Sequence, residues 1–220
     1  LERWSASARV NVVESRGIRS LPGLSYTYLA PPPPQHGLAI DGDALAPITN
    51  YQSPISDLDF PAYLPESLAF APRRGANALV IEPGGGLDVL VALASGARHV
   101  TALHGEPLAA EIIGEFGSGL YGDSRVTVVH ESARTFLARS AERFDVVLLA
   151  LTDPYRPVTS GAYSLAETYL LTEEAFGAYL DHLKPAGVFI VGRWLQSPPS
   201  EELRLYATIH GDFLCEARGV

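Results

Sequence analysis

Three consecutive glycines followed by a carboxylate form the strongest candidate binding loop in this sequence. The stretch VIEPGGGLDVL places Gly84, Gly85 and Gly86 between a strand-like run and a helix-like run, with Asp88 just beyond them. Glycines let a ligand approach the backbone, and the start of a helix offers free N–H groups. The spacing matches neither GxGxxG nor a P-loop, and a carboxylate in the first helical turn disfavours pyrophosphate. The loop therefore predicts a site for a positively charged nucleoside, or a tight turn with Asp88 capping the helix.

The stretch FDVVLLALTDPY, residues 144–155, is the second place where chemistry is expected. It predicts a buried strand that runs out into a Thr-Asp-Pro-Tyr turn, with Asp153 as the carboxylate at the tip. A carboxylate positioned in this way can act as a general base. An aspartate before a proline also initiates turns. Asp153 is therefore either a catalytic residue or a turn residue.

Strand-like and helix-like runs alternate from Asn77 onward, and this alternation predicts the fold that would position these residues. Strands are expected at 78–82, 99–103, 125–129, 144–150 and 187–194, and helices at 88–97, from 107, and at 132–140, 172–183 and 199–209. Pro107, Ser132 and Thr172 suit the caps or first positions of their helices. Strands separated by helices pair in parallel through right-handed crossovers. The prediction is an α/β fold with a doubly wound, mostly parallel sheet.

Residues 1 to about 60 follow a different pattern. The runs ARVNVVES and LSYTYLA are rich in branched and aromatic residues and predict short strands, while PPPPQHG predicts an extended connection. Asp41-Gly42 lies between two apolar pieces and predicts a hairpin, because glycine tolerates positive φ. We therefore expect a small antiparallel β unit over residues 1–60, followed by an α/β domain over residues 61–220.

The overall composition limits the classes of partner. The 220 residues carry a net charge of -9, which disfavours nucleic acid because phosphate binding requires clustered Lys and Arg. An acidic surface attracts a cationic substrate such as a polyamine, or serves only solubility. The single Cys215 offers neither a disulfide nor a CxxC metal site, so we expect no metal and a reducing, cytoplasmic compartment. No apolar run approaches the roughly 20 residues of a membrane span, so none is expected within this chain.

The run from Ala78 to Trp194 resembles the nucleoside-binding domain of class I S-adenosylmethionine-dependent methyltransferases, a Rossmann variant, and more specifically the spermidine and spermine synthases. VIEPGGGLDVL, LTDPY and AETYLLTEEAFGAYLDHLKPAGVFIV carry this resemblance, together with the small β unit before them. GAYSLAETYLLTEEAF and Arg193-Trp194 also resemble spermidine-synthase-like domains of membrane-attached proteins. The resemblance implies S-adenosylmethionine or its decarboxylated form as cofactor, a small-molecule substrate such as a polyamine, and a homodimer.

The resemblance also implies a set of cofactor contacts in the loops that follow the first three strands. The set comprises Glu82, Gly84, Gly85, Gly86, Asp88, His104, Glu106, Glu131 and Ser132. His104 stands where the family has an acid that grips both ribose hydroxyls, and Glu106 is a substitute two residues later. Ser132, with Glu131 beside it, stands where the family has an acid for the adenine amino group. The alternatives are solvated loop residues for His104 and Glu106 and a helix cap for Ser132.

On the substrate side, the resemblance implies a pocket with one of its two acids missing. Asp153 matches the second acid of the family's D-x-x-D-P pattern, and Ala150 stands in place of the first, which helps to deprotonate the attacking amine. Loss of a general base typically costs ~10²–10⁴ in rate. The implied substrate contacts are Tyr155, Tyr163, Glu167 and Tyr169. Leu45 replaces a glutamine that the family carries after the hairpin.

Two hypotheses about function follow from these residues. The first is a spermidine-synthase-like transferase that uses S-adenosylmethionine or its decarboxylated form and has a degenerate active site. The second is a non-catalytic binding or regulatory domain, favoured because the departures fall on separate ligand-contact positions. An NAD-type oxidoreductase is disfavoured by the missing GxGxxG. Under the first hypothesis, a bulky residue at Gly85 is expected to abolish cofactor binding and leave the protein folded.

Overall fold

The computed structural model describes residues 1–42, 45–151, 169–195 and 201–218, with side chains in the last range for 202–210. Two sheets organise this part of the chain: an antiparallel sheet of four strands, and a parallel sheet of five strands with helices on its faces. This confirms the predicted α/β fold with a small antiparallel β unit before it.

The small sheet is a simple antiparallel meander. Its strands are β1 (Glu2–Trp4), β2 (Arg9–Glu14), β3 (Gln35–Ile40) and β4 (Ala46–Thr49), paired in that order. Asp41 and Gly42 follow β3 with φ of 53° and 77°, so the predicted hairpin is confirmed and begins with two left-handed residues. Positive φ explains the Asp-Gly pair, since these residue types tolerate the left-handed region best.

The strand predicted for LSYTYLA is wrong. Residues 24–30 form turns, one of them closed by the N–H of Tyr28 donating to the carbonyl of Ser25. Tyr26 and Leu29 are fully or almost fully exposed, at 102% and 91%. Aromatic and branched residues favour a strand only where a pleated, half-buried surface receives them, and this segment has no such surface.

The parallel sheet alternates strands and helices along the chain. Its strands are β5 (Asn77–Ile81), β6 (His99–Leu103), β7 (Val126–Val129), β8 (Phe144–Leu149) and β9 (Leu183–Val191). Its helices are α1 (Leu87–Ala94), α2 (Pro107–Phe116), α3 (Ala133–Arg139), α4 (Glu173–Asp181) and α5 (Glu201–Arg218). The spatial order is β7-β6-β5-β8-β9, so the strand order reverses between β5 and β8. Ligands of doubly wound sheets bind at the carboxyl ends of the strands beside such a reversal.

Burial on both faces explains why β5 is continuously apolar. Ala78 and Val80 belong to the core that includes α1, whereas Leu79 and Ile81 belong to the core shared with α3 and α4. The predicted caps are confirmed, because the Ser132 and Thr172 hydroxyls accept from backbone N–H groups in the first turns of α3 and α4. Each such cap stabilises its helix by about 1 kcal/mol.

A third core joins the small sheet to α2. Leu38 and Ile48 of the sheet pack with Ile112 and Ile113 of the helix. Arg3 and Glu115 add an exposed ion pair with two hydrogen bonds across the same contact.

The division into two domains near residue 60 stays a prediction. Within the described ranges, none of the helices combines the length and the apolar character needed to cross a bilayer.

Candidate functional site

Glu82 lies at the carboxyl end of β5 and links it to the end of β6. Its backbone has a φ of 52°, its N–H donates to the Leu103 carbonyl at 2.9 Å, and its Oε1 accepts from the Gly105 N–H at 2.8 Å. Burial, helped by the nearby Glu106 carboxylate and opposed by the bond from the Gly105 N–H, raises the pKa of Glu82 to about 7. The side chain is therefore only half ionised at neutral pH and gains from a positive charge placed beside it.

Asp88 adds a second carboxyl in the first turn of α1. The side chain is buried, and burial, followed by the charge of Glu66, raises the pKa of Asp88 to about 8. Glu66 comes from the short 3-10 helix Pro65–Ala69. Burial also raises the pKa of Glu66, and its Oε2 is buried and has no hydrogen-bond partner among the described residues. The prediction that Asp88 caps the helix is wrong: Gly86 is the N-cap of α1 and no side chain bonds there, while Asp88 lies inside the first turn and contacts its own backbone N–H. Two buried carboxyls that repel each other favour protonation of one of them or a nearby cation.

His104 is buried at the end of β6, in the position implied for a ribose contact. It is only 2% exposed, and its Nε2 lies 2.6 Å from the hydroxyl of Tyr121. Burial lowers the pKa of His104 to about 4, so the imidazole is neutral at physiological pH. Burial, together with Asp88 and Glu82, raises the pKa of Tyr121. This neutral pair can exchange single hydrogen bonds with a hydroxyl but cannot clamp two as a carboxylate does.

The glycine-rich turn packs against the small sheet. Gly84 and Gly86 have φ of 54° and 89°, which glycine adopts without strain. A Cβ on Gly85 would lie 2.1 Å from the carbonyl oxygen of Pro47, a backbone atom of β4. The expectation that a bulky residue at Gly85 would leave the fold intact is therefore wrong, because the absence of a side chain there is required by contact with β4.

Glu106, Glu131 and Ser132 have protein partners in the structure. Glu106 caps α2 by accepting from the Leu108 N–H at 3.2 Å, and it also accepts a hydrogen bond from the Ser7 hydroxyl. Glu131 makes two bonds, of 2.7 and 2.8 Å, to the guanidinium of Arg139. Ser132 caps α3. These bonds give each residue a structural role, and a ligand contact for any of them stays a prediction.

The acceptor side of the site is described only in part. Ala150 is buried directly after β8, and its N–H donates to the carbonyl of Ile81 at 3.1 Å. Tyr169 begins a 3-10 turn, Tyr169–Leu171, and is 67% exposed. Leu45 is 45% exposed beside the hairpin. The remaining predicted residues, Asp153, Tyr155, Tyr163 and Glu167, lie outside the described residues.

Three residues of this neighbourhood were missed from the sequence. Tyr121 contacts His104, the charge of Glu66 raises the pKa of Asp88, and Tyr179 of α4 has its pKa raised by burial and by Glu82. The only sequence signal for Tyr121 is its position between Gly119 and Gly122, which indicates a turn but no direction. Each of the three reaches the site from an element distant in sequence, so spacing alone does not reveal it.

Two surface pockets lie elsewhere in the described structure. One, of about 410 Å³, lies between β3, the segment after β4 and the carboxyl end of α2. The other, of about 600 Å³, lies between the 3-10 helices of residues 60–69 and the end of α1. Neither is lined by the residues implied for the cofactor. No cluster of three or more His, Cys, Asp or Glu side chains suited to a metal occurs in the described part of the chain.

Comparison with solved structures identifies the fold. The spermidine synthase from Thermotoga maritima superposes with a TM-score of 0.60 at 19% identity, covering 96% of this chain and 62% of that one. A spermidine synthase solved in complex with the transition-state analogue AdoDATO gives 0.58 at 18% identity, with the same coverage. The fold is that of the spermidine synthases. This spermidine-synthase-like chain thus spans 62% of the length of those two proteins.

The wider likeness is to the class I methyltransferase fold. A candidate S-adenosylmethionine-dependent methyltransferase from Streptococcus mutans gives a TM-score of 0.50 at 12% identity, covering 84% of this chain and 48% of that one. No protein-family model matches the chain. At these identities the comparisons show the fold, and the ligand and reaction have to be argued from the site.

Proposed function

We propose that the chain is a transferase-type domain that binds the sulfonium of S-adenosylmethionine or its decarboxylated form at the carboxyl ends of β5 and β6. One observation carries this proposal: Glu82 lies at the end of β5, beside the reversal of strand order, and its carboxyl accepts from the Gly105 N–H after β6, in surroundings that raise its pKa. The likeness of the fold to spermidine synthases supports it. A sulfonium makes an adjacent carbon electrophilic, which is the chemistry that such a ligand supplies.

The buried carboxyls suit a cation better than an anion. Burial disfavours the ionised forms of Glu82 and Asp88, and Glu106 and Glu66 add negative charge nearby. A sulfonium placed among them supplies the missing positive charge, so binding lowers both pKa values and releases protons. A pyrophosphate would meet repulsion in the same place. The neutral His104 would bond one ribose hydroxyl.

The proposed reaction is impaired on the acceptor side. An amine nucleophile has a pKa near 10 and must lose a proton before it attacks. Ala150 offers no base at the end of β8, so we propose that Asp153 and Glu167 supply the remaining carboxylates, with Tyr155, Tyr163 and Tyr169 against the substrate. The expected cost of the missing base is ~10²–10⁴ in rate. A polyamine acceptor and a homodimer belong to this proposal.

A non-catalytic binding domain is the second candidate. The bond between His104 and Tyr121 favours it, because it occupies the imidazole Nε2 that a ribose hydroxyl would need. The packing of Gly85 on Pro47 favours it too, since the glycine turn is then explained without a ligand. Such a domain would keep the fold and serve a binding or regulatory role without transferring a group.

Calorimetric titration with decarboxylated S-adenosylmethionine, S-adenosylmethionine and methylthioadenosine at pH 8 tests the binding proposal. We expect binding of at least one sulfonium, and a loss of about tenfold or more in its affinity in Glu82→Gln, which keeps the shape of the side chain and removes its charge. Glu142→Gln is the matched control, because Glu142 is exposed just before β8 and lies outside the proposed site, so the affinity of this variant should stay within about twofold of the wild type.

Failure of every ligand to bind folded protein would refute the proposal. If a sulfonium binds, single-turnover assays with putrescine and spermidine separate the two candidates. Slow transfer supports the degenerate transferase. Binding with no transfer over hours supports the non-catalytic domain.

A further inference from the structure

An open pocket of about 600 Å³ lies at the amino-terminal edge of the parallel sheet. Its walls are the 3-10 helices of residues 60–69, the turn before β5 and the carboxyl end of α1. Glu82 and His104 follow the opposite ends of β5 and β6, so this pocket and the proposed sulfonium site share no residue. The volume of the pocket falls within the range of small-molecule sites.

Part of this pocket, which we call the Arg74 pocket, is an apolar surface. Phe70 is 1% exposed, and Leu58 packs against the same core. Ala62, Ala71 and Ala94 complete the apolar lining with small side chains that leave space beside them. A hydrocarbon group that covers this surface removes apolar area from water, which is favourable.

Arg74 supplies an unpaired positive charge to the pocket. Its side chain is exposed and, within the described part of the chain, takes part in no hydrogen bond or ion pair. The guanidinium can therefore turn toward an anion in the pocket without breaking an existing bond. Arg98 is also exposed, and its guanidinium lies 3.7 Å from the position that a Cβ on Gly75 would take, beside Arg74. Arginine binds carboxylates through two parallel N–H···O bonds.

Backbone hydrogen bonds fix the turn that carries Arg74. The N–H of Arg73 donates to the Phe70 carbonyl at 3.0 Å, and the N–H of Gly75 donates to the Gly96 carbonyl at 3.2 Å. The second bond joins the turn to the wall that the end of α1 forms. The backbone of Arg74 is thus in position before a ligand arrives, which lowers the entropy cost of binding.

The carboxyl end of α1 adds a hydrogen-bond donor to the pocket. The N–H groups of Ser95, Gly96 and Ala97 donate back to the carbonyls of residues 91–93, at 2.9 to 3.1 Å. These bonds occupy carbonyls whose partial negative charge would repel an anion. The hydroxyl of Ser95 lines the pocket and has no partner among the described residues, so it is free to donate.

The carboxylates near the pocket leave Arg74 unpaired. Asp57, Asp59 and Glu66 are next to lining residues in the sequence. The two aspartates are exposed and form no ion pair within the described ranges. Burial raises the pKa of Glu66, which reduces its negative charge. An anion in the pocket therefore meets a free guanidinium that no neighbouring carboxylate occupies.

We propose that the Arg74 pocket binds a small carboxylic acid with an apolar body, such as a medium-chain fatty acid. The carboxylate bonds to the Arg74 guanidinium and the Ser95 hydroxyl, and the hydrocarbon covers Phe70 and Leu58. An anion without hydrocarbon, such as phosphate, would leave that apolar surface in water. The site is separate from sulfonium binding and does not depend on it.

Calorimetric titration with octanoate, 1-octanol and inorganic phosphate tests both parts of this recognition. We expect octanoate to bind with a Kd below about 1 mM, and the other two at least about tenfold more weakly, because each lacks either the charge or the hydrocarbon. In nuclear magnetic resonance spectra, the amide signals of Ser95 and Gly96 should shift as octanoate saturates the protein.

Four results would overturn the proposal. They are no binding of octanoate at about 10 mM, an affinity for either other probe equal to that for octanoate, and octanoate binding without shifts at Ser95 and Gly96. The fourth is binding to phosphatidylglycerol vesicles without binding to octanoate, which would assign this surface to an anionic membrane.

Two variants and a control locate the site. Arg74→Gln removes the charge at an exposed position, so octanoate affinity should fall at least about tenfold while the unfolding temperature stays the same. Ser95→Ala should lower the affinity about threefold or more. Arg16→Gln, in the exposed turn after β2, makes the same change of charge and should bind octanoate as the wild type does. Unchanged affinity in Arg74→Gln, an equal loss in Arg16→Gln, or displacement of octanoate by saturating methylthioadenosine would refute the site.

Discussion

Three ionisable side chains near the carboxyl ends of β5 and β6 lie in an environment that resists charge: Glu82, Asp88 and His104. Burial raises the pKa of Glu82 to about 7 and that of Asp88 to about 8, whereas it lowers the pKa of His104 to about 4. The two carboxyls and the imidazole therefore all tend toward their neutral forms. A cation placed beside the two carboxyls would stabilise their ionised forms. This is why we expect a cationic ligand to bind.

Asp88 should make the protein less stable as the pH rises. Its folded pKa is raised, so the folded state holds a proton that the unfolded state has released, and the unfolding free energy falls until the pH passes about 8. His104 acts in the opposite sense, because its lowered pKa makes the unfolding free energy rise as the pH goes from about 4 to about 6.5. The carboxyls are therefore best measured between pH 6.5 and pH 8, above the range of His104. Between pH 6.5 and pH 8, the unfolding free energy of the Asp88→Asn variant should fall by about 1 to 2 kcal/mol less than that of the wild type.

Urea denaturation at the two pH values measures this difference. Asp57→Asn is the matched control, because Asp57 is exposed and its only described side-chain bond is with Ser56. The interpretation of Asp88 fails if its variant and the control show the same pH dependence as the wild type.

Among the elements, the strands, helices and helix caps of the parallel sheet were largely predictable from the sequence, whereas contacts between distant segments were not. Caps such as Ser132 and Thr172 act within one turn, so local sequence reveals them. LSYTYLA has the composition of a strand but no neighbouring strand to pair with, and that depends on the tertiary fold. The hydrogen bond of His104 to Tyr121, and the packing of Gly85 on Pro47, likewise join segments distant in sequence.

Ala186 is a strained position inside an otherwise regular element. It lies in the exposed bend of β9, with a φ of 60°, where the pairing register with β8 also shifts. Alanine in the left-handed region costs roughly 1–2 kcal/mol, and glycine avoids most of that cost. Ala186→Gly should therefore raise the unfolding free energy by about 0.5 to 1 kcal/mol, measured by chemical denaturation.

Ala178→Gly, inside α4, provides the matched comparison. The same change of residue in a helix interior should lower the unfolding free energy by about 1 kcal/mol. Equal destabilisation by both substitutions would show that Ala186 is not strained.

Across the whole molecule, the glycine-rich turn is where the two sheets meet. Gly85→Ala would place its Cβ against the Pro47 backbone, which no rotamer change can relieve. We expect a loss of about 2 to 3 kcal/mol, accompanied by faster amide exchange in β3 and β4. Gly114→Ala, at an exposed position of α2 with open space around it, should instead stabilise the protein by about 0.5 to 1 kcal/mol. A melting temperature for Gly85→Ala equal to that of the wild type would contradict the packing.

A sulfonium site beside Glu82 can be tested by measuring the affinities of decarboxylated S-adenosylmethionine and of methylthioadenosine at pH 6 and pH 8. The first ligand is a cation at both values and the second is neutral, so they differ in their dependence on an ionised Glu82. With a pKa of about 7, Glu82 goes from mostly protonated to mostly ionised over this range. The account predicts that the affinity of the cation rises about tenfold from pH 6 to pH 8. We also predict that the affinity of the thioether stays constant and that Glu82→Gln clearly reduces the rise, leaving only the part that Asp88 supplies. Absence of cation binding at both pH values, or the same pH dependence for both ligands, would contradict it.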